Sequence, residues 1–151
     1  MVGMPQMKLG WMIAGGPSDL LKEALARIDL IADNYLSVGT PVQYALPELL
    51  AAREDIQDQI VARLKRNLAW LQAAIRRNPA FRLLEVEGGW YAILQVPRIR
   101  TEEEWTLHLL ARGVLVQPGY FYDFESEAYL VVSLLTPEDV FERGIAILLE
   151  A

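Results

Sequence analysis

Few side chains in this sequence have the type and spacing to do chemistry. The leading candidate is Lys8, the basic residue of Pro5-Gln6-Met7-Lys8-Leu9-Gly10-Trp11. By position alone it reads as a solvated lysine near the end of a short apolar strand. His108, the only histidine, lies between Leu107 and Leu109 in a helical stretch. One histidine makes neither a triad nor a metal site, so a structural or surface role is expected. Glu102-Glu103-Glu104 looks like paired acids, but it opens a helix whose dipole favours carboxylates there, so no catalytic pair is expected. Ser133 and Thr136 have no base at motif spacing, and no nucleophile is expected. The chain has no cysteine, which excludes disulfides, thiolate catalysis and cysteine-based metal sites. Two aromatic groups remain. Trp90, after Gly88-Gly89, is either a substrate-facing ring or a core ring. Tyr120, with Phe121, Tyr122 and Phe124 after Pro118-Gly119, either lines a pocket or belongs to an ordinary loop cluster.

The elements that must position these residues follow from periodicity and breakers. Leu9 to Ala14 fits a buried strand stopped by Gly15-Gly16-Pro17. Ser18 is the expected N-cap of a helix, with Asp19 at the positive end of its dipole. Leu21, Ala24, Leu25, Ile28, Ile31, Ala32 and Tyr35 recur at helical spacing. Gly39-Thr40-Pro41 breaks that helix, and a second helical stretch is expected from Val42 to Ala52, with Pro47 complicating its middle. Ile56, Ile60, Leu64, Leu68, Leu71 and Ile75 form the clearest stripe, a long helix stopped at Asn78-Pro79.

Beyond Pro79 the texture changes. Phe81 to Glu87 and Trp90 to Val96 read as strands around Glu87-Gly88-Gly89, a hairpin. Thr101 caps a helix with Glu104 in capping-box position, and Gly113 suits its C-terminal cap. Val114 to Gln117 reads as a short strand ended by Pro118-Gly119. Tyr120 to Glu127 is an aromatic and acidic loop, and Tyr129 to Leu135 a β-prone run. Thr136 is the expected N-cap of the last helix, with Pro137 at its first position. From Phe81 the order is strand, strand, helix, strand, strand, helix. That order predicts a mixed α/β fold, an α+β layer with helices covering one face of a short sheet. Residues 1 to about 50 hold one strand and two helices, too few to close a core of their own.

Composition bounds the partners. The 151 residues are 53% hydrophobic and 23% charged, which argues for a globular protein. A net charge of -6 disfavours nucleic acid, which needs a basic face. No apolar run approaches the ~20 residues of a membrane-spanning helix. A cytoplasmic setting is expected.

An ordered series of segments resembles the class I/II, fold-type I aminotransferases, which depend on pyridoxal 5′-phosphate (PLP). Pro5 to Trp11 resembles the strand that contacts the cofactor phosphate. Ser37-Val38-Gly39-Thr40-Pro41-Val42-Gln43 resembles the interhelical loop that approaches the neighbouring subunit's site. Ile56 to Ile75 resembles the helix joining large and small domains. Gly88-Gly89-Trp90-Tyr91 resembles the turn that closes over the substrate, and Gly113 to Gly119 the small-domain strand with its Pro-Gly loop.

The resemblance implies that residues 1–52 are a remnant of the large PLP-binding domain and 53–151 the small C-terminal domain with the linking helix. It implies that Lys8 binds the PLP phosphate, that Trp90 and Tyr120 contact substrate, and that Thr40 either reaches across a dimer interface or caps a helix. The Schiff-base lysine falls eight positions before Lys8, one residue ahead of Met1. No catalytic residue and no metal ligand is therefore expected in this chain, which alone is expected to be inactive. The parent is expected to be a homodimer that moves an amino group from an amino acid to a 2-oxo acid. The family's carboxylate-binding arginine is replaced by Val131. Two other readings stand beside this one: a non-catalytic interaction module, and a PLP lyase or decarboxylase on the same scaffold.

Overall fold

The computed structural model describes residues 3–35, 38–126 and 128–151. Met1, Ser37 and Glu127, each at the edge of a segment named above, lie outside the described residues. The chain divides into two units, Met1–Gln57 and Asp58–Ala151.

The first unit contains a 3-10 turn at Pro5–Met7, helices α1 (Ser18–Asp33), α2 (Thr40–Tyr44) and α3 (Leu46–Ala51), and the start of α4 (Arg53–Arg76). Pro17, not Ser18, is the N-cap of α1, and no side chain caps it. The stretch predicted from Val42 to Ala52 is two helices instead of one. Pro41 and Pro47 each take one of the first two positions of a helix, where a missing N–H is harmless. Inside one continuous helix Pro47 would remove a ladder bond and clash with the preceding turn, so α2 closes at Tyr44. Thr40 is the first residue of α2, behind Gly39 as N-cap.

The strand predicted over Leu9–Ala14 does not form. Residues 8–15 have no regular structure, and Trp11, Met12 and Ile13 are exposed. Strand backbone needs a neighbour to take its N–H and C=O groups, and no strand lies among the described residues of this unit. No described residue from 3 to 57 is buried. The stripe of α1 is present but largely solvent-facing, with Leu25 45% and Ile31 59% exposed.

The second unit forms a core. α4 runs 24 residues, about 36 Å at the standard rise, and sends Leu71 and Ile75 inward with Leu64 and Leu68 at the margin. Its end is tied by Asn78, whose side-chain amide donates to the Ala74 carbonyl at 2.9 Å. β1 (Arg82–Leu83) and β2 (Tyr91–Gln95) pair antiparallel, and their register centres the reversal on Gly88 and Gly89. α5 (Glu102–Ala111) starts on the predicted capping box, with Thr101 and Glu104 satisfying each other's amides. Gly113 then turns with φ +79°, a conformation that penalises any Cβ.

The strand predicted over Val114–Gln117 contracts to β3 (Gln117–Pro118). The amide of Val114 donates to the Leu109 carbonyl at the end of α5, which holds this segment away from the ladder. β4 (Tyr129–Ser133) follows, then α6 (Glu138–Leu149). Pro137, not Thr136, is the N-cap of α6; the Thr136 hydroxyl donates to the Ser133 carbonyl instead.

The sheet is antiparallel in the order β1-β2-β4-β3. Ala92 and Leu94 stand opposite Val132 and Leu130, and all four are buried in one cluster with Trp105 and Leu109 of α5 and Phe141, Ile145 and Leu148 of α6. Trp105 anchors the cluster. It is 1% exposed, meets Phe81 edge to face, and its indole N–H donates to the Pro97 carbonyl at 3.0 Å, so the buried polar atom is satisfied. Burying a side chain of the Leu, Ile or Phe class is worth about 1.5–3 kcal/mol. Helices thus cover one face of the sheet, and successive strand residues alternate onto the other.

Candidate functional site

In the first unit, Lys8 follows the Pro5–Met7 turn as its C-cap, at φ 53°. Its amide donates to the Pro5 carbonyl at 3.2 Å. Left-handed backbone is uncommon for a non-glycine residue, and here it ends the turn and redirects the chain. The side chain is exposed and has no ion pair among the described residues. An unpaired ammonium on a tight turn is chemically fit to hold an anion such as a phosphate.

In the second unit, among the described residues, two clefts share Tyr91. The larger, about 550 Å³, takes residues from both faces of the sheet: Tyr91, Gln117, Val131 and Ser133 from the helix-free face, and Val132 with Val140, Phe141 and Gly144 of α6 from the helix side. The smaller, about 390 Å³, lies between Tyr91 and Ile93 and the hairpin residues Glu85 to Gly88. Tyr91 owes this position to strand alternation: Ala92 and Leu94 face the core, so Tyr91 and Ile93 face away. Val131 lies in register between Ile93 and Gln117 and is 4% exposed, yet it is absent from the helix-side core cluster. It is the buried floor of this face. The Tyr91 and Tyr122 rings stand 6.4 Å apart, and the Tyr122 hydroxyl is hydrogen-bonded to the Gln117 side-chain oxygen.

The remaining sequence candidates and the arginines near them are dispersed over the second unit. Trp90 is 39% exposed and precedes β2, its carbonyl accepting from the Leu134 amide at 2.8 Å. By alternation it lies on the opposite side from Tyr91, and it lines neither cleft. Tyr120 is about half exposed and meets Phe121 edge to face. His108 is half-buried within α5. Arg100 donates to the Ala151 carbonyl and lies 4.9 Å over the Trp105 ring; Arg112 donates to the Ile147 carbonyl. Arg143 lines the α6 end of the larger cleft and pairs with Asp139 at 2.9 Å. The hydrogen bond from Arg143 holds the Asp139 carboxyl below its ordinary range. No cluster of His, Cys, Asp or Glu with metal-binding geometry is found among the described residues. No described helix is long and apolar enough to cross a membrane.

Glu102 differs from its neighbours in a way that a helix-start reading misses. It is 2% exposed. One carboxylate oxygen accepts from the Tyr120 amide and the other from the Tyr129 amide, each at 2.7 Å. Those partners are 18 and 27 residues away, and no local pattern marks them. The one sequence signal is the adjacent Pro118-Gly119, which brings the loop over the start of α5.

No family model matches the chain. The chain is similar to the LL-diaminopimelate aminotransferase of Dehalococcoides mccartyi, 29% identical over 140 residues, covering 91% of this chain and 35% of that protein. Its fold matches solved structures of a probable N-succinyldiaminopimelate aminotransferase from Thermus thermophilus (TM-score 0.69, 19% identity) and an α-aminoadipate aminotransferase from the same organism (TM-score 0.67, 19% identity). Each match covers 85% of this chain, and 34% and 35% of the respective structures. An aspartate aminotransferase from Rhizobium meliloti matches with a TM-score of 0.66 at 18% identity, over 91% of this chain and 36% of that one. The chain spans about a third of the length of the proteins it matches.

Proposed function

We propose, taking as premise the distant homology of this chain to the fold-type I aminotransferases, that it serves as part of a PLP-dependent aminotransferase. The reaction is the transfer of an amino group from an amino acid to a 2-oxo acid, in a cytoplasmic homodimer. Residues 1–52 belong to the cofactor-binding domain and 53–151 to the small domain. One observation carries the reading: the similarity to a curated aminotransferase extends over 91% of this chain.

Within it, Lys8 holds the cofactor phosphate, a role supported by its exposure and its lack of an ion pair among the described residues. When bound, the cofactor supplies an electron sink for bonds at the substrate's α-carbon. Tyr91, which lines both clefts, is the residue proposed to contact substrate there; Trp90 and Tyr120 line neither cleft, and their proposed substrate contact lies outside them. No residue of this chain is assigned the proton-moving role. Val131 presents no charge where the family grips a carboxylate, which also favours a second reading, a PLP lyase or decarboxylase on the same scaffold.

A hybrid tests the proposal. The matching segment of the Dehalococcoides mccartyi enzyme is replaced by this chain, and the protein is supplied with PLP, an amino acid and a 2-oxo acid. Amino transfer by the hybrid, and none by the chain alone above free PLP, is expected. A folded, cofactor-loaded hybrid that releases carbon dioxide or an alkene without exchanging amino groups supports the second reading. One that does nothing with any amino acid contradicts both.

A further inference from the structure

The aromatic loop after Pro118 is pinned from beneath by one side chain. Glu102, buried at the start of α5, accepts the Tyr120 amide with one oxygen and the Tyr129 amide with the other. These two amides mark the two ends of the loop. Tyr129 lies one residue beyond the last β3–β4 pair, Pro118 with Leu130. Its ladder partner would be Gly119, and the carboxylate takes that partner's place. A carboxylate suits this position because it offers two acceptors and no donor, and amide bonds to an ionised acceptor are the strong kind.

Gly119 shows how closely the parts fit. A Cβ there would stand 2.8 Å from a Glu102 oxygen, 2.9 Å from the Tyr129 Cβ and 3.1 Å from a Phe124 ring carbon. Phe124 in turn stacks on Tyr129 with ring centroids 4.9 Å apart. The loop ends are therefore fixed by steric contact on one side and by charge-assisted hydrogen bonds on the other. Between those ends lies Tyr122, whose hydroxyl meets Gln117 and whose ring faces Tyr91. Gln117 and Tyr91 both line the larger cleft.

We propose that Glu102 is a positioning residue: by bridging the amides at both ends of the aromatic loop, its carboxylate sets Tyr122 against Tyr91 and Gln117 and so fixes that wall of the cleft. The value of the wall to a ligand rests on the function proposed above. The wall's geometry does not.

The test follows the rings directly, in the full chain labelled with 3-fluorotyrosine and read by fluorine NMR. Tyr91→Phe and Tyr122→Phe assign the two signals. Glu102→Ala is expected to keep a cooperative melt while the Tyr122 signal moves toward its unfolded position. The Tyr120 and Tyr129 amides are expected to exchange hydrogen at least about tenfold faster once their acceptor is gone. Glu102→Gln keeps the shape but turns an NH₂ toward one amide, so one of the two loses protection and the Tyr122 shift is intermediate. Gly119→Ala leaves the carboxylate and displaces the loop sterically, and it is expected to move the same Tyr122 signal; Glu102→Gln serves alone if Glu102→Ala fails to fold. A Tyr122 signal at its native position in the folded Glu102 and Gly119 variants overturns the proposal. Because no ligand enters the measurement, that failure leaves the proposed function standing. A cleft that binds nothing leaves the clamp standing.

Discussion

Asp139 and Arg143 stand one turn apart near the start of α6, their side chains joined at 2.9 Å. The guanidinium holds the Asp139 carboxyl below the usual carboxylate range, so the folded chain releases this proton more readily than the unfolded one. The sign follows: the pair favours folding at neutral pH, and its contribution is lost as pH falls through the lowered folded-state pKa. Arg143→Ala is expected to return the Asp139 carboxyl toward its ordinary value in a carbon-detected NMR titration, and an unchanged midpoint would refute the assignment. Because the pair is exposed, its effect on the melting temperature should be small and should shrink with salt. Charge pairs of this kind are visible in a sequence, since four residues separate them on a helix. Glu102 was not visible in the same way. It reads as the first of three equivalent acids, and only the tertiary placement of Tyr120 and Tyr129 singles it out.

At the scale of elements, α4 is joined to the turn between β4 and α6 by side chains. Asn67 is 1% exposed and donates to the carbonyls of Leu134 and Thr136 at 2.9 and 2.8 Å, and Arg63 donates to that of Leu135 at 3.2 Å. Asn67→Leu fills similar space but leaves two carbonyls short of a donor. A loss of about 1–3 kcal/mol is expected in denaturant unfolding, and a variant as stable as the parent would show the joint to be idle.

Elements were legible where their determinants are local. The capping box of α5 needs two residues three apart, and the stripe of α4 needs only its own period. The Leu9–Ala14 strand was misread because an apolar run does not carry its hydrogen-bond partner with it. The same limit hid Tyr91. Trp90 was the conspicuous ring of Gly-Gly-Trp-Tyr, but strand alternation, fixed by Ala92 and Leu94 in the core, turns Tyr91 to the clefts.

At the scale of the molecule the two units contrast. The second closes a core around Trp105, whereas no described residue from 3 to 57 is buried. Trp11, Ile13, Leu30 and Tyr35 are all more than half exposed, and apolar surface of this kind drives association. Light scattering at rising concentration is expected to give a mass above that of one chain, reduced by Leu25→Ser with Ile31→Ser; a monomer throughout would contradict this. The mixed α/β fold was legible in the order of elements, and the distant homology to fold-type I aminotransferases in the order of weak motifs along the chain. No carboxylate-binding residue was legible, since Val131 stands where the resemblance would put an arginine.

Whether the opening turn holds the cofactor phosphate, as proposed, is decided by Lys8→Ala in the aminotransferase hybrid. The equilibrium dissociation constant for PLP is measured with and without the substitution. Loss of one charge-assisted contact of about 1.5–3 kcal/mol predicts binding weakened by at least tenfold. An unchanged constant in a folded hybrid would contradict it.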